Sequence, residues 1–200
     1  MRSIHILALL GALLLAGCSS GPMQVSPNQA LDTAAQDQAQ VVFMRSAFTA
    51  KAINASLYDV TDGHAKFVGI LPNGYKVAYT TTPGKHTFMV VSEAADFLEA
   101  NLEGGKTYYS LVTPRMGMWK ARFSLWPIRN DATGEYNTRG SDFAGWQKDT
   151  QLIVNTPKSQ AWFEANKASV SEKQADYWPV WQKKSAKDLA ERTLNPQDGL

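Results

Sequence analysis

The sequence predicts a mainly β protein, an antiparallel β-sandwich with a C-terminal α-helical appendage. Three observations carry this. Short apolar or alternating runs recur between residues 41 and 128 at roughly 8–12-residue intervals, the rhythm of sandwich strands. Turn formers separate them: Asp62-Gly63, Pro72-Asn73-Gly74, Pro83-Gly84 and Gly104-Gly105. Beyond Thr156-Pro157 the apolar spacing becomes helical.

In chain order, Val41–Arg45 reads as a first strand and Ala52–Val60 as a second, with Ile53, Ala55 and Leu57 on one face. Phe67–Leu71, Tyr75–Thr80, His86–Val91, Phe97–Leu102, Thr107–Val112 and Trp119–Trp126 follow. Pro83 presets φ and Gly84 supplies a positive φ, so that turn has a complete backbone explanation. Residues 129–155 read as a long loop with one turn of helix near Phe143 and a further strand at Gln151–Asn155. Residues 156–194 read as helical, with Thr156 as N-cap and Pro157 at N1. A second helix is predicted near Ser171, and Pro179 should kink it or mark its true start. Trp178, Trp181, Ser185 and Leu189 share one helical face, which packs on the sandwich or awaits a partner.

The N-terminus has its own logic. One positive charge, Arg2, precedes an apolar run from Ile4 to Ala16, too short for a spanning helix and ending in small residues, as a cleaved secretory signal does. Leu15-Ala16-Gly17-Cys18 resembles the lipobox of bacterial lipoproteins. The resemblance implies that residues 1–17 are removed and that the Cys18 thiol carries diacylglycerol, with the new amino group acylated. Two or three chains on one residue make desorption negligible. Ser19, where some lipoproteins carry an inner-membrane retention aspartate, points to the outer membrane. Residues 18–40 then read as a lipidated N-terminus and flexible tether, reaching roughly 25 Å and letting the domain stand clear of the headgroups.

Val68-Gly69-Ile70-Leu71-Pro72-Asn73-Gly74-Tyr75, Pro83-Gly84-Lys85-His86 and Gly104-Gly105-Lys106-Thr107-Tyr108-Tyr109 resemble the landmarks of a family of small bacterial lipoprotein domains of unknown function, related to PEGA-type domains. The resemblance covers about residues 40–128. It implies a prealbumin-like or immunoglobulin-like sandwich outside the cytoplasm, and it brings no catalytic residues.

Composition narrows the function classes. Twenty Lys and Arg against 18 Asp and Glu give a net charge of +2, with no basic excess to favour nucleic acid. With the single cysteine acylated, no thiol remains for a disulfide or a cysteine nucleophile. Asp59, Asp62, Glu93, Asp96, Glu99 and Glu103 read as turn and solvent-face residues without a spacing that suggests acid–base work. No catalytic or phosphate-binding motif is present in the sequence.

Six tryptophans and seven tyrosines suggest a core or a binding face of large rings. Trp119 and Trp126 lie seven apart, so on one strand they face opposite sides, and at least one belongs to the core. The candidate partner or ligand contacts are Trp119, Tyr136, Arg139, Trp146, Trp178 and Trp181. The expected function is a non-catalytic binding or structural module, anchored in the outer membrane through Cys18 and facing the periplasm. Its expected partners are the bilayer and an envelope protein or peptidoglycan; no cofactor is expected. The alternative is a carrier of a small ligand or soft metal ion, with Met116, Met118 and His86 as ligands, since thioethers suit copper(I).

Overall fold

Both sheets of this protein are built from strands that hide side chains on two faces. The computed structural model describes residues 21–115, 122–132 and 134–200. The strands are β1 (Gln24–Val25), β2 (Ala39–Arg45), β3 (Ala55–Asp59), β4 (Lys66–Leu71), β5 (Tyr75–Thr81), β6 (Gly84–Val91), β7 (Ala95–Leu102), β8 (Thr107–Arg115), β9 (Arg122–Pro127), β10 (Gln151–Val154) and β11 (Thr193–Leu194). The helices are α1 (Ser141–Asp149), α2 (Pro157–Gln182) and α3 (Ala186–Glu191). One sheet has the order β1-β10-β5-β2-β8-β9 and the other β11-β7-β6-β3-β4.

The expected antiparallel arrangement is corrected here, because both sheets are mixed. β2 pairs with β8 in parallel, as β10 does with β5 and β11 with β7. The chain leaves β2, builds β3 and β4 in the second sheet, returns for β5, and crosses again through β6 and β7 before reaching β8. Two strands joined by so long a route can lie parallel, whereas a tight turn enforces antiparallel pairing.

The inner faces meet in one core, where Phe43 of β2 sits edge-on to Phe88 of β6 at 5.3 Å. Opposite faces carry a second set of apolar residues. On the first sheet Val42, Met44, Tyr109 and Leu111 lie under Phe143 of α1. On the second sheet Tyr58, Met89 and Phe97 lie under Phe163, Val170 and Trp181 of α2. Each such side chain stabilises the fold by about 1.5–3 kcal/mol on leaving water.

α2 is a single helix, without the predicted fresh start near Ser171. Thr156 is its N-cap: the side chain accepts from the Lys158 and Ser159 amides, while the Ser159 hydroxyl accepts from the Thr156 amide. Pro157 occupies the first turn as predicted, where a missing amide hydrogen does little damage, and Pro179 lies inside the last turn and does not mark a helix start. The Trp178–Trp181 face packs on the second sheet, with Phe97 at 5.1 Å from Trp178 and 5.7 Å from Trp181.

Residues 21–38 are not a free tether. Met23 is buried against Gly69 and Val77, and its sulfur accepts from the Ile70 amide at 3.5 Å. β1 pairs with β10, and the Gln29 side chain bonds both the amide and the carbonyl of Leu152. A segment rich in Gly, Pro and Ser lacks periodicity, yet side-chain amides and one thioether suffice to dock it. The predicted features at Cys18, Met116, Met118 and Trp119 lie outside the described residues.

One buried cation holds the end of this architecture. Arg45 closes β2 with no exposed surface. Its guanidinium donates to the carbonyls of Ile53 at 2.6 Å, Leu71 at 3.1 Å and Ala50 at 2.6 Å, and it lies 4.3 Å over the Phe123 ring. Burial lowers its pKa to about 10, so it stays charged at neutral pH. The loop 46–54 is thereby tied to the strand ends. Replacing Arg45 by Met keeps most of the volume but orphans three carbonyls at about 1–3 kcal/mol each, so urea unfolding should show a loss of at least about 3 kcal/mol.

Candidate functional site

α2 crosses the strands of the second sheet, so a groove runs along its flank. Phe163 fixes the first half of the helix, stacked on Phe67 at 5.1 Å and tilted on Tyr58 at 5.8 Å. Trp178 fixes the second half through Phe97. Between helix and sheet the turn after β3 stands away, with Gly63 at φ 79°, and Gln174 Nε2 donates to the Gly63 carbonyl at 3.0 Å. The result is a cleft of ≈ 580 Å³. Val60, Ala65, Ala175 and Trp178 provide apolar walls, while Thr61, His64, Lys167, Ser171 and Gln174 bring hydrogen-bonding groups.

The chemistry of this lining is specific in one respect: it contains no carboxylate. An indole beside amide, hydroxyl, imidazole and ammonium groups suits a sugar ring or an extended peptide, held by stacking and hydrogen bonds. It offers no acid–base pair of the kind that hydrolyses glycosides.

Beside the cleft lies a polar cluster that looks catalytic at first sight. Asp59 is buried, with His86 Nδ1 at 3.3 Å, Tyr79 OH donating at 3.1 Å and the Thr61 hydroxyl donating at 2.5 Å. Thr61 Oγ1 also lies 3.2 Å from His86 Nδ1. A hydroxyl, an imidazole and a carboxylate are thus together, but their order is wrong for a nucleophile triad. Both Asp59 and Thr61 meet the same ring nitrogen, while Nε2 lies 2.9 Å from the Thr82 carbonyl and donates to it. Both ring nitrogens are thus engaged within the protein, and the Asp59 carboxylate and Thr82 carbonyl around them favour the protonated ring.

The electrostatics agree. The Asp59 hydrogen bond raises the His86 pKa, against burial, helped by the Thr82 carbonyl. Burial pushes the Asp59 carboxyl up, but bonds from His86 and Thr61 outweigh it and bring the pKa to about 2. Burial and the Asp59 charge raise Tyr79. Asp59 is therefore not a solvent-face residue, and neither is Asp96, which is buried against Arg192. Among the described residues no cluster of three His, Cys, Asp or Glu could hold a metal ion.

The predicted contact residues separate into two places. Tyr136 and Trp146 lie 5.8 Å apart and Tyr136 lies 5.8 Å from Trp126, forming an aromatic row beside α1. Burial, then the neighbouring Glu135, raises the Tyr136 pKa to about 12. Trp126 in turn stacks on the Arg192 guanidinium at 4.4 Å. Arg139 is exposed and its ring contacts with this row are absent among the described residues. Trp181 is buried, with its indole nitrogen 3.4 Å from Glu99 Oε1, and it is spent on packing. Among the described residues of the predicted set, only Trp178 lines the cleft.

Sequence reasoning missed Thr61, His64, Lys167, Ser171 and Gln174, because the cleft brings a turn against a helix about a hundred residues later in the chain. The one available signal was that Lys167, Ser171, Gln174 and Trp178 recur at helical spacing. The sequence matches no family model and no curated protein.

The His86–Asp59 pair should leave a pH signature. The folded-state pKa of His86 lies above its unfolded value, so its contribution is complete below about pH 6.5 and disappears as pH rises through the folded value. For Asp59 the contribution is present above about pH 4 and lost toward pH 2. His86→Gln should therefore lower stability by about 1–3 kcal/mol near pH 6, with the gap from wild type narrowing toward pH 9 in thermal melts.

Proposed function

We propose that this protein is a membrane-anchored envelope lipoprotein whose β domain, read as a sandwich of the prealbumin-like or immunoglobulin-like kind, is a non-catalytic binding module. The observation that carries the binding role is the cleft along α2. It joins an indole wall to six hydrogen-bonding side chains and contains no carboxylate pair. The Leu15–Cys18 lipobox supports the anchor and the envelope location, with Cys18 acylated and the domain facing the periplasm. No helix among the described residues is long and apolar enough to cross a membrane.

The proposed ligand is a glycan strand or an extended peptide of the cell envelope, peptidoglycan first. Stacking on an indole and bonds to amide and hydroxyl groups recognise both the sugar faces and the peptide stems of that polymer. The exposed Lys167, in a lining without a carboxylate, favours stem carboxylates over cations. The carrier alternative loses one of its ligands, because both nitrogens of His86 are already engaged.

Cosedimentation of the detergent-solubilised full-length protein with purified sacculi tests the reading. Ser171 is exposed on α2 and lines the cleft, so Ser171→Tyr fills it without touching the core. Binding by wild type and a loss of about tenfold or more in the variant is expected, equivalent to about 1.4 kcal/mol or more. Equal sedimentation of both proteins would remove the cleft as the binding site, and no sedimentation of either would remove peptidoglycan as the ligand.

A further inference from the structure

The docked N-terminal segment changes where the domain must sit. The described chain begins at Gly21, and by Pro22 it is already part of the fold, since the Pro22 carbonyl accepts from the Thr156 hydroxyl at 2.6 Å. Only Ser19 and Ser20 separate Cys18 from Gly21, a reach of at most about 11 Å. Resting on the lipoprotein reading of Cys18, this places the domain against the bilayer and not clear of it.

The surface near that exit has the composition such a position requires. Pro22, Ile53 and Asn54 line one cavity of ≈ 290 Å³, so the chain exit and the loop 46–54 share one end of the molecule. On this loop Phe48 is 90% exposed and Ile53 is 41% exposed, with Lys51 also in solvent and its ammonium 5.3 Å from the Phe48 ring. Two exposed large apolar side chains on one short loop beside the chain exit carry more meaning than a single exposed ring would.

The loop is also held in shape. Arg45 ties down the carbonyls of Ala50 and Ile53, and the Asn73 side chain accepts from the Ala47 amide at 2.7 Å. Ala50 adopts φ 53°, which an L-residue takes only when its surroundings impose it. The apolar tip is thus presented by a fixed scaffold. Arg122, exposed at the start of the β9 strand, belongs to the same end of the sheets and adds a positive charge.

We propose that the loop 46–54 is a second, non-covalent membrane contact. Phe48 and Ile53 enter the interface between headgroups and acyl chains, and Lys51 pairs with anionic headgroups of the leaflet that holds Cys18. An acyl anchor alone leaves a domain free to tumble about its attachment. A shallow aromatic insertion beside it sets one orientation, and an interfacial lysine keeps its ammonium at the headgroup level. In that orientation the cleft along α2 opens on the opposite flank of the helix from the cavity shared by Pro22 and Ile53.

Cysteine labelling tests this on the full-length protein, because the acylated Cys18 has no free thiol and there is no other cysteine. Phe48→Cys and, as a control, Lys85→Cys on the exposed start of β6 at the other end of the sheets are labelled with an environment-sensitive nitrobenzoxadiazole dye. Each is reconstituted into vesicles of phosphatidylethanolamine and phosphatidylglycerol, and the N-terminal mass is measured in the same preparation. The expected result is an acylated N-terminus, a blue-shifted emission at position 48, and loss of more than half of that signal with doxyl lipids, with neither change at position 85. An acylated protein whose position 48 behaves like position 85 overturns the contact and leaves the anchor standing. An N-terminus without acyl groups overturns the anchor itself, and the contact falls with it.

Discussion

The constraint on which the whole architecture depends is that neither sheet has a face it can leave in water. Every residue of β2 is buried, and so is every residue of β3. Two sheets packed on each other satisfy only the inner half of that requirement. The outer half calls for α1 and its preceding loop over Val42 and Met44, and for α2 over Tyr58, Met89 and Phe97. The chain beyond residue 128 is therefore not an appendage. It completes the burial that the strands demand, and the cleft along α2 lies where the helix and the turn after β3 leave the twisted sheet unevenly covered.

A chain with one cysteine cannot use disulfides to close such a structure, and here polar clasps do so. Arg45 gathers the carbonyls of one loop, His86 and Asp59 close the opposite end of the sheets, and Arg192 joins three elements. The last is the most densely partnered: Arg192 bonds Asp96 and the carbonyls of Leu125 and Phe97 while lying between the rings of Trp126 and Trp181. Arg129 performs a similar task through Asp198 and the Thr193 carbonyl. Arg192, Arg129 and His86 each meet a carboxylate, the condition under which burying a charge is tolerable. Among the described residues Arg45 is met only by carbonyls and a ring, and its Nε is left without a hydrogen-bond partner.

Local chemistry was largely legible in the sequence, and long-range assembly was not. Strands at Val41, Phe67, Tyr75 and Thr107 could be placed from apolar runs and turn residues, and the Thr156–Pro157 helix start from its capping pattern. The parallel neighbours could not, because nothing near Val42 announces that it will pair with Tyr109. A hint lay in Val41-Val42-Phe43-Met44, whose unbroken apolar run signals burial on both faces and not the alternation of a half-exposed strand. The same limit hid the site. Trp178 was visible as a candidate, but His64 and Thr61 join it only through tertiary contact. The docked segment at Met23 was read as tether because docking by one thioether and one amide has no period to detect.

The parallel pairing of β2 with β8 also governs the timetable of self-assembly. Val42 meets Tyr109 across more than sixty intervening residues, and β7 receives its last neighbour from Thr193–Leu194. Contacts this remote in sequence carry a high entropic toll before they are rewarded, so folding of such a topology is slow. Until those distant partners are in place the apolar Val41–Met44 segment stays unpaired, and in that interval aggregation competes with assembly.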